Sequence, residues 1–414
     1  MIGCLIYCFI MTFVAHKVYK KKGLTSSTFL FALYAISSIF SVIYVYVYGY
    51  EQKVFIKDYF TGFLYLALSL LIYLYPFYKV PDNRFIMISL PSMKVIYIVS
   101  WILCFLSIYS IIYFLPKSIA LLSVDVDQIA GLRDLIAAGE NPYIENNIFN
   151  TIAGTSASFY SLVMLFYFIV LTAEKKHSLL SIILIISTLS YPIFVLAYMG
   201  RDGIVFWMFS FIINYLLFRR FLPLNIKRIL IKIGIFALII GFIVLMVITI
   251  GRFLMSQNGS MKVLLFPFVD YMGQQAINFT ELFSTGLTRM NYGSGVLPLI
   301  FGEGGGNPIN IEQYGLVPWV FKTFMSTFYL SFGPYLTILL GIVMNCIYKV
   351  SAQTNRGKFS ISFLVIYTLF ITIYSQGVFY FRQMNRVGNL YIIVMILFTI
   401  YFAMLPKRVY LKSI

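Results

Sequence analysis

The chain has 414 residues, 61% of them hydrophobic and only 11% charged, where a soluble globular domain carries about 25% charged residues. With 41 Phe and 33 Tyr and a mean hydropathy of +0.90, the composition excludes an ordinary soluble fold and points to a polytopic membrane protein. The net charge of +17 then has to be read side by side across a membrane.

Apolar runs bounded by charges or turn residues give eleven expected spans, at 2–15, 28–48, 59–78, 95–115, 151–173, 179–198, 203–218, 229–250, 327–348, 359–379 and 388–405. The first run is followed by Lys17, Lys20, Lys21 and Lys22, the reverse of a signal peptide, and reads as a retained helix with its amino terminus outside. The seventh run spans about 24 Å at 1.5 Å per residue, short of a hydrocarbon core of about 30 Å. The expected fold is an all-α bundle of about 11 transmembrane helices in a single integral membrane domain, residues 1–414, with the carboxy terminus inside. No internal repeat is visible.

Charge supports that sidedness. Segments assigned to the inside hold 20 Lys and Arg and two acids, Asp82 and Glu174, whereas the outer segments hold 11 basic and 12 acidic residues. The basic excess is thus accounted for by orientation, and no nucleic-acid partner is needed to explain it.

Two outer segments are long. Residues 116–150 form an acidic outer loop with Asp125, Asp127, Asp134, Glu140 and Glu145, and with a helical pattern over 126–138. Residues 251–326 form the larger loop, between the eighth and ninth helices, with an amphipathic stretch near 270–283 and a glycine-rich turn at 302–306. Loops of this length are functional or disordered, and Phe266, Phe268, Tyr271, Phe279 and Trp319 make this one too aromatic for disorder. It is expected to pack on or into the membrane surface and to carry part of the active site.

Cys4, Cys8, Cys104 and Cys346 all fall inside apolar runs, and His16 and His177 sit beside lysines at span ends. Packing is the expected role of the thiols, and neither a metal site nor a cofactor is expected.

The informative cations are therefore the outer arginines Arg201, Arg252, Arg289, Arg382 and Arg386, since a guanidinium fork engages phosphate in bidentate fashion. Arg201-Asp202-Gly203 separates two spans tightly. It reads either as an anion site, with Gly203 allowing close approach at a helix amino terminus, or as a polar hairpin tip capped by Asp202. Arg382 and Arg386 are spaced i to i+4, which on a helix stacks two like charges on one face and favours an anion between them; otherwise both point to water. Arg252 is placed at outer headgroup depth, where it binds substrate or snorkels to lipid phosphate. Arg289 lies mid-loop. Candidate bases are the outer carboxylates Asp202, Asp270, Glu281, Glu303 and Glu312.

In layout, and in the hairpin Tyr198-Met199-Gly200-Arg201-Asp202-Gly203-Ile204, the sequence resembles the bacterial O-antigen and capsular polysaccharide polymerases, the Wzy-type repeat-unit polymerases. The resemblance implies a multi-pass protein of the bacterial cytoplasmic (inner) membrane with its active site facing the periplasm. It implies undecaprenyl-pyrophosphate-linked oligosaccharide as substrate, membrane lipid and a chain-length regulator protein as partners, and metal-independent glycosyl transfer to an incoming unit. The related O-antigen ligases use an outer-face histidine, which this reading does not find here. A ligase-type transferase and a flippase of lipid-linked oligosaccharide are the alternatives. Residue reading and resemblance together assign catalytic roles to Arg201, Asp202, Arg382 and Arg386, and substrate binding to Arg252, Arg289, Gly203, Glu303 and Asp270.

Overall fold

The computed structural model describes residues 1–48, 59–80, 82, 85–124, 132, 135, 141–145, 147–256, 266–288, 293–302, 321–351 and 358–412. In chain order its elements are α1 (Ile2–Lys22), α2 (Ser26–Tyr48), α3 (Tyr59–Lys79), β1 (Met87–Leu90), α4 (Met93–Leu122), α5 (Ile148–Ser158), α6 (Tyr160–Glu174), α7 (Leu179–Ser187) and α8 (Ser190–Leu196). They continue with α9 (Asp202–Phe218), α10 (Leu224–Ser256), α11 (Phe266–Ser284), α12 (Pro298–Phe301), α13 (Phe324–Ser351), β2 (Lys358–Ser360), α14 (Ile361–Gln376), a 3-10 turn (Arg382–Met384), α15 (Arg386–Met404) and β3 (Val409–Lys412). Among the described residues, seven helices are long and apolar enough to cross a membrane, eight if α5 and α6 count as one span bent by 46°. This is the architecture of a helical polytopic membrane protein.

Every expected apolar run falls mainly on helix, with four adjustments. The run 359–379 begins in β2 and leaves helix after Gln376. The run 151–173 breaks at Phe159, and the run 179–198 is split between α7 and α8. α4 continues through Pro116 to Leu122, so the expected loop 116–150 begins as helix; a proline removes one backbone bond but does not end a helix that side-chain packing supports. The expected helical pattern at 126–138 and the glycine-rich turn at 302–306 fall almost wholly outside the described residues.

The chain divides into two compact units, Met1–Arg84 with Leu265–Gly357 and Leu369–Ile393, and Phe85–Leu264 with Lys358–Thr368 and Val394–Ile414. In the first, α1, α2 and α3 pack together, α11 lies on α2 and α3, and α13 lies on α3. The α2–α11 contact is a close backbone approach. Ser37 and Ser41 donate to the carbonyls of Met272 and Gly273 at 3.0 and 2.7 Å, and a Cβ at Gly273 would collide with the carbonyl of Phe40. α13 kinks at Gly333 (φ 71°) ahead of Pro334, and its carbonyls at Pro334 and Thr337 accept from the hydroxyls of Tyr65 and Tyr73 at 2.7 and 2.8 Å.

A buried ion pair closes one end of this unit. Lys22 Nζ lies 3.3 Å from Asp82 Oδ1, with side chains 3% and 1% exposed, and also donates to the carbonyls of Phe77 and Val80. Asp82 Oδ2 accepts from the Ser27 amide at 2.8 Å and the Ser26 hydroxyl at 3.1 Å. The turn between α1 and α2 is thereby fastened to the end of α3.

In the second unit α6 is the core helix, with every residue from Tyr160 to Thr172 buried, as its all-round apolar sequence requires. α4, α7 and α9 pack against it. Three chain-distant segments form a small sheet of order β2-β1-β3, with β1 parallel to β2 and antiparallel to β3. The all-helical expectation did not include it, because three- and four-residue strands are too short to show a period of two.

Candidate functional site

In the second unit α8 ends in a tight turn: the amides of Tyr198 and Gly200 both donate to the carbonyl of Val195 at 3.0 and 2.9 Å. Met199 takes the left-handed conformation at φ 54°. The turn delivers Arg201 to the position capping α9, with its side chain making no cap bond, and leaves the residue only 7% exposed. Asp202 is the first helical residue, half-buried, where its charge complements the helix dipole. The capping position expected for Asp202 is thus held by Arg201. The close approach at Gly203 is made by Val195, whose Cβ lies 2.6 Å from where a Cβ at 203 would stand. Glycine is required there because Val195 of α8 occupies the space a side chain on α9 would need.

Neighbouring segments fix the turn. Asn141 Nδ2 donates to the Ala197 carbonyl at 3.2 Å, Ser118 Oγ to the Ile193 carbonyl at 2.8 Å, and Asn150 Nδ2 to the Tyr198 hydroxyl at 3.2 Å. Beneath them Ala197 packs with Phe114, Ile144 and Ala153. Further along, Trp207, Phe211 and Tyr215 of α9 and Leu230, Gly234 and Leu238 of α10 line an apolar groove. Arg252 stands near the carboxy end of α10.

The first unit builds a second candidate region around Phe321. Asn278 Nδ2 on α11 donates to the Phe321 carbonyl at 2.8 Å. The Phe321 ring lies 4.8 Å from Tyr271 and stacks at 5.7 Å and 16° on Tyr380. Lys322 follows, and Glu281 sits one helical turn beyond Asn278, both half-buried. Burial pushes the Glu281 carboxyl above its usual range, which the neighbouring Lys322 charge partly counters. Burial pushes the Lys322 ammonium down, countered in turn by Glu281.

Beyond Tyr380 the chain enters the 3-10 turn carrying Arg382. Buried amides hold this turn: Gln383 Nε2 donates to Gln376 Oε1 and Asn389 Nδ2 to the Gln383 carbonyl, each at 2.7 Å. Asn389 Oδ1 accepts from the Leu299 amide at 3.0 Å. Asn385 is extended (φ −101°, ψ 169°) and its Oδ1 accepts from the Gly388 amide at 2.7 Å, capping α15. Arg382 and Arg386 therefore do not stack on one helical face as their spacing suggested. The cap interrupts the helix between them, leaving Arg382 half-buried and Arg386 exposed.

Of the expected site residues, Asp270, Arg382 and Arg386 belong to the first unit, where Tyr271, Phe321 and Tyr380 link the segments that carry them. Arg201, Asp202, Gly203 and Arg252 belong to the second. Arg289 and Glu303 lie outside the described residues. Lys322, Asn278, Gln376, Gln383 and Asn389 had no local sequence signal, because each meets its partner through the fold. Among the described residues no three of His, Cys, Asp and Glu gather as a metal-binding group. Comparison with protein-family models, with curated proteins and with solved structures finds no match to this chain.

Proposed function

We propose that the chain is a metal-independent membrane glycosyltransferase that polymerises undecaprenyl-pyrophosphate-linked oligosaccharide units on the outer face of the bacterial cytoplasmic membrane. The build of α9 carries this reading. One helix has a buried arginine, Arg201, 7% exposed at its amino end and an apolar groove that begins near Trp207, about 9 Å further along at 1.5 Å per residue. A cation at the head and an apolar flank below suit an anionic lipid.

The chemistry follows from charge. As the glycosidic bond to pyrophosphate breaks, negative charge develops on the leaving group, and prearranged arginines stabilise it best in poorly hydrated surroundings. Arg201 takes that role. The anhydride-like lipid linkage supplies the driving force without a nucleotide.

Surface glycan from a deletion strain tests the reading. Single-unit glycan, returned to long chains by the intact gene, is the expected result. Unmodified lipid-linked units accumulating on the outer face would make the chain a ligase, and accumulation on the inner face a flippase.

A further inference from the structure

The turn that carries Arg201 is fastened to α4 within the second unit. Ser118 Oγ donates to the Ile193 carbonyl of α8 at 2.8 Å. Phe114 packs with Ala197, and its ring centre lies 6.4 Å from that of Tyr198, three residues ahead of Arg201. Between Phe114 and Ser118 stands Lys117, half-buried. Its side chain runs back toward the amino end of α4, the direction helical side chains take, and sets the ammonium 3.1 Å from the Tyr113 ring centre and 5.8 Å from that of Phe114. The charge therefore sits about one helical turn back from its own backbone, at the level where Ala197 and Tyr198 meet the helix. A lysine that only snorkels would reach the other way, past the carboxy end of α4 to the headgroups expected there. Ring faces hold this ammonium by cation–π attraction, and among the described residues it makes no hydrogen bond or ion pair. Its three donors are left for an anion.

We propose that Lys117 is a second phosphate contact beside Arg201, so that the site selects a lipid diphosphate over a lipid monophosphate. The assignment rests on the polymerase reading and adds to it a residue that sets specificity. Arg201 engages one phosphate through its planar fork of donors, and Lys117 meets the other as a point charge. A lipid with a single phosphate satisfies only one of the two cations. Tyr113 is a positioning residue, since its ring holds the ammonium back from the end of the helix.

The test uses the purified full-length chain in nanodiscs of phosphatidylcholine, which carries no net charge to compete for the cations. The probes are undecaprenyl diphosphate and undecaprenyl monophosphate, both without sugar, and equilibrium binding is the readout. Wild type is expected to prefer the diphosphate by about tenfold, the effect of one charge-assisted hydrogen bond. Lys117→Met keeps the apolar stem and should lose that preference by weakening the diphosphate alone, whereas Lys117→Arg should keep it. Tyr113→Leu should shrink the preference while leaving monophosphate binding unchanged.

A wild type with no preference overturns the proposal. So does a Lys117→Met variant that still prefers the diphosphate, as a snorkelling lysine would allow, or one that weakens both probes equally, as a general contribution of positive charge would. Should Lys117→Met not be recovered folded, Lys117→Gln takes its place under the same criteria. Polymer formation from lipid-linked repeat units is measured in parallel and separates the two claims. Polymer from the wild type with no effect of Lys117→Met on the preference removes the lysine and leaves the polymerase reading standing. No polymer, with a preference that depends on Lys117, removes that reading and leaves the diphosphate contact.

Discussion

Arg201 is held at 7% exposure, and its guanidinium offers phosphate a planar fork of donors that an ammonium lacks. Arg201→Ala is therefore expected to abolish long-chain glycan while single-unit glycan and protein level persist, and Arg201→Lys to restore little of it. A gel of surface polysaccharide checks both, and full polymer length from the alanine variant would refute the role. Losing one charge-stabilising donor of this kind costs about 2.7 to 4 kcal/mol of barrier. Gly203→Ala tests a different property: its Cβ would meet Val195, so the expected loss is of stability, about 1–3 kcal/mol for overpacking, seen as a lower unfolding temperature of the purified protein. At this scale the sequence identified the tight turn and its arginine, since Arg-Asp-Gly between two apolar runs has few other readings. It could not assign Gly203 to Val195, because that contact depends on Met199 entering the left-handed region.

Among the elements, the fastening of α1, α2 and α3 depends on Lys22 and Asp82, which in the sequence are merely one of four basic residues after the first run and one of two inner acids. Burial changes what each contributes. Removing one partner of a buried pair strands the other charge, at a cost of about 3–5 kcal/mol. Asp82→Ala should accordingly lower the unfolding temperature of purified protein sharply, whereas Lys22→Met combined with Asp82→Leu should regain much of the loss. A double variant no better than the single one would show that the pair contributes through its hydrogen bonds to Ser26, Ser27, Phe77 and Val80 rather than through its charge. Helix positions were legible because an apolar run has one solution in lipid. Breaks at Phe159 and between α7 and α8, and the continuation of α4 past Pro116, were not, since tertiary packing decides whether a helix bends, stops or runs on.

For the whole molecule, the sheet tests the proposed topology. Its strands come from the segment after α3, the segment after α13 and the carboxy-terminal tail, and paired strands lie on the same side of a membrane. The chain must therefore cross an even number of times between β1 and β2, and again between β2 and β3. The proposed eleven spans supply six crossings in the first interval and two in the second, which satisfies both conditions. Lys22 and Asp82 impose a like condition within the first unit, satisfied by two crossings. Strand pairing and positive-inside charge are independent supports, since hydrogen bonds fix one and lysine and arginine counts the other. In a background with Cys4, Cys8, Cys104 and Cys346 replaced, Lys94→Cys, Lys358→Cys and Lys407→Cys should resist a membrane-impermeant maleimide in spheroplasts and react once these are permeabilised. Glu145→Cys, in an expected outer segment, should react in both. If Lys358→Cys reacted from outside while Lys94→Cys did not, the strands could not pair across the bilayer, and the inside carboxy terminus would have to be given up together with the periplasmic placement of Arg382 and Arg386.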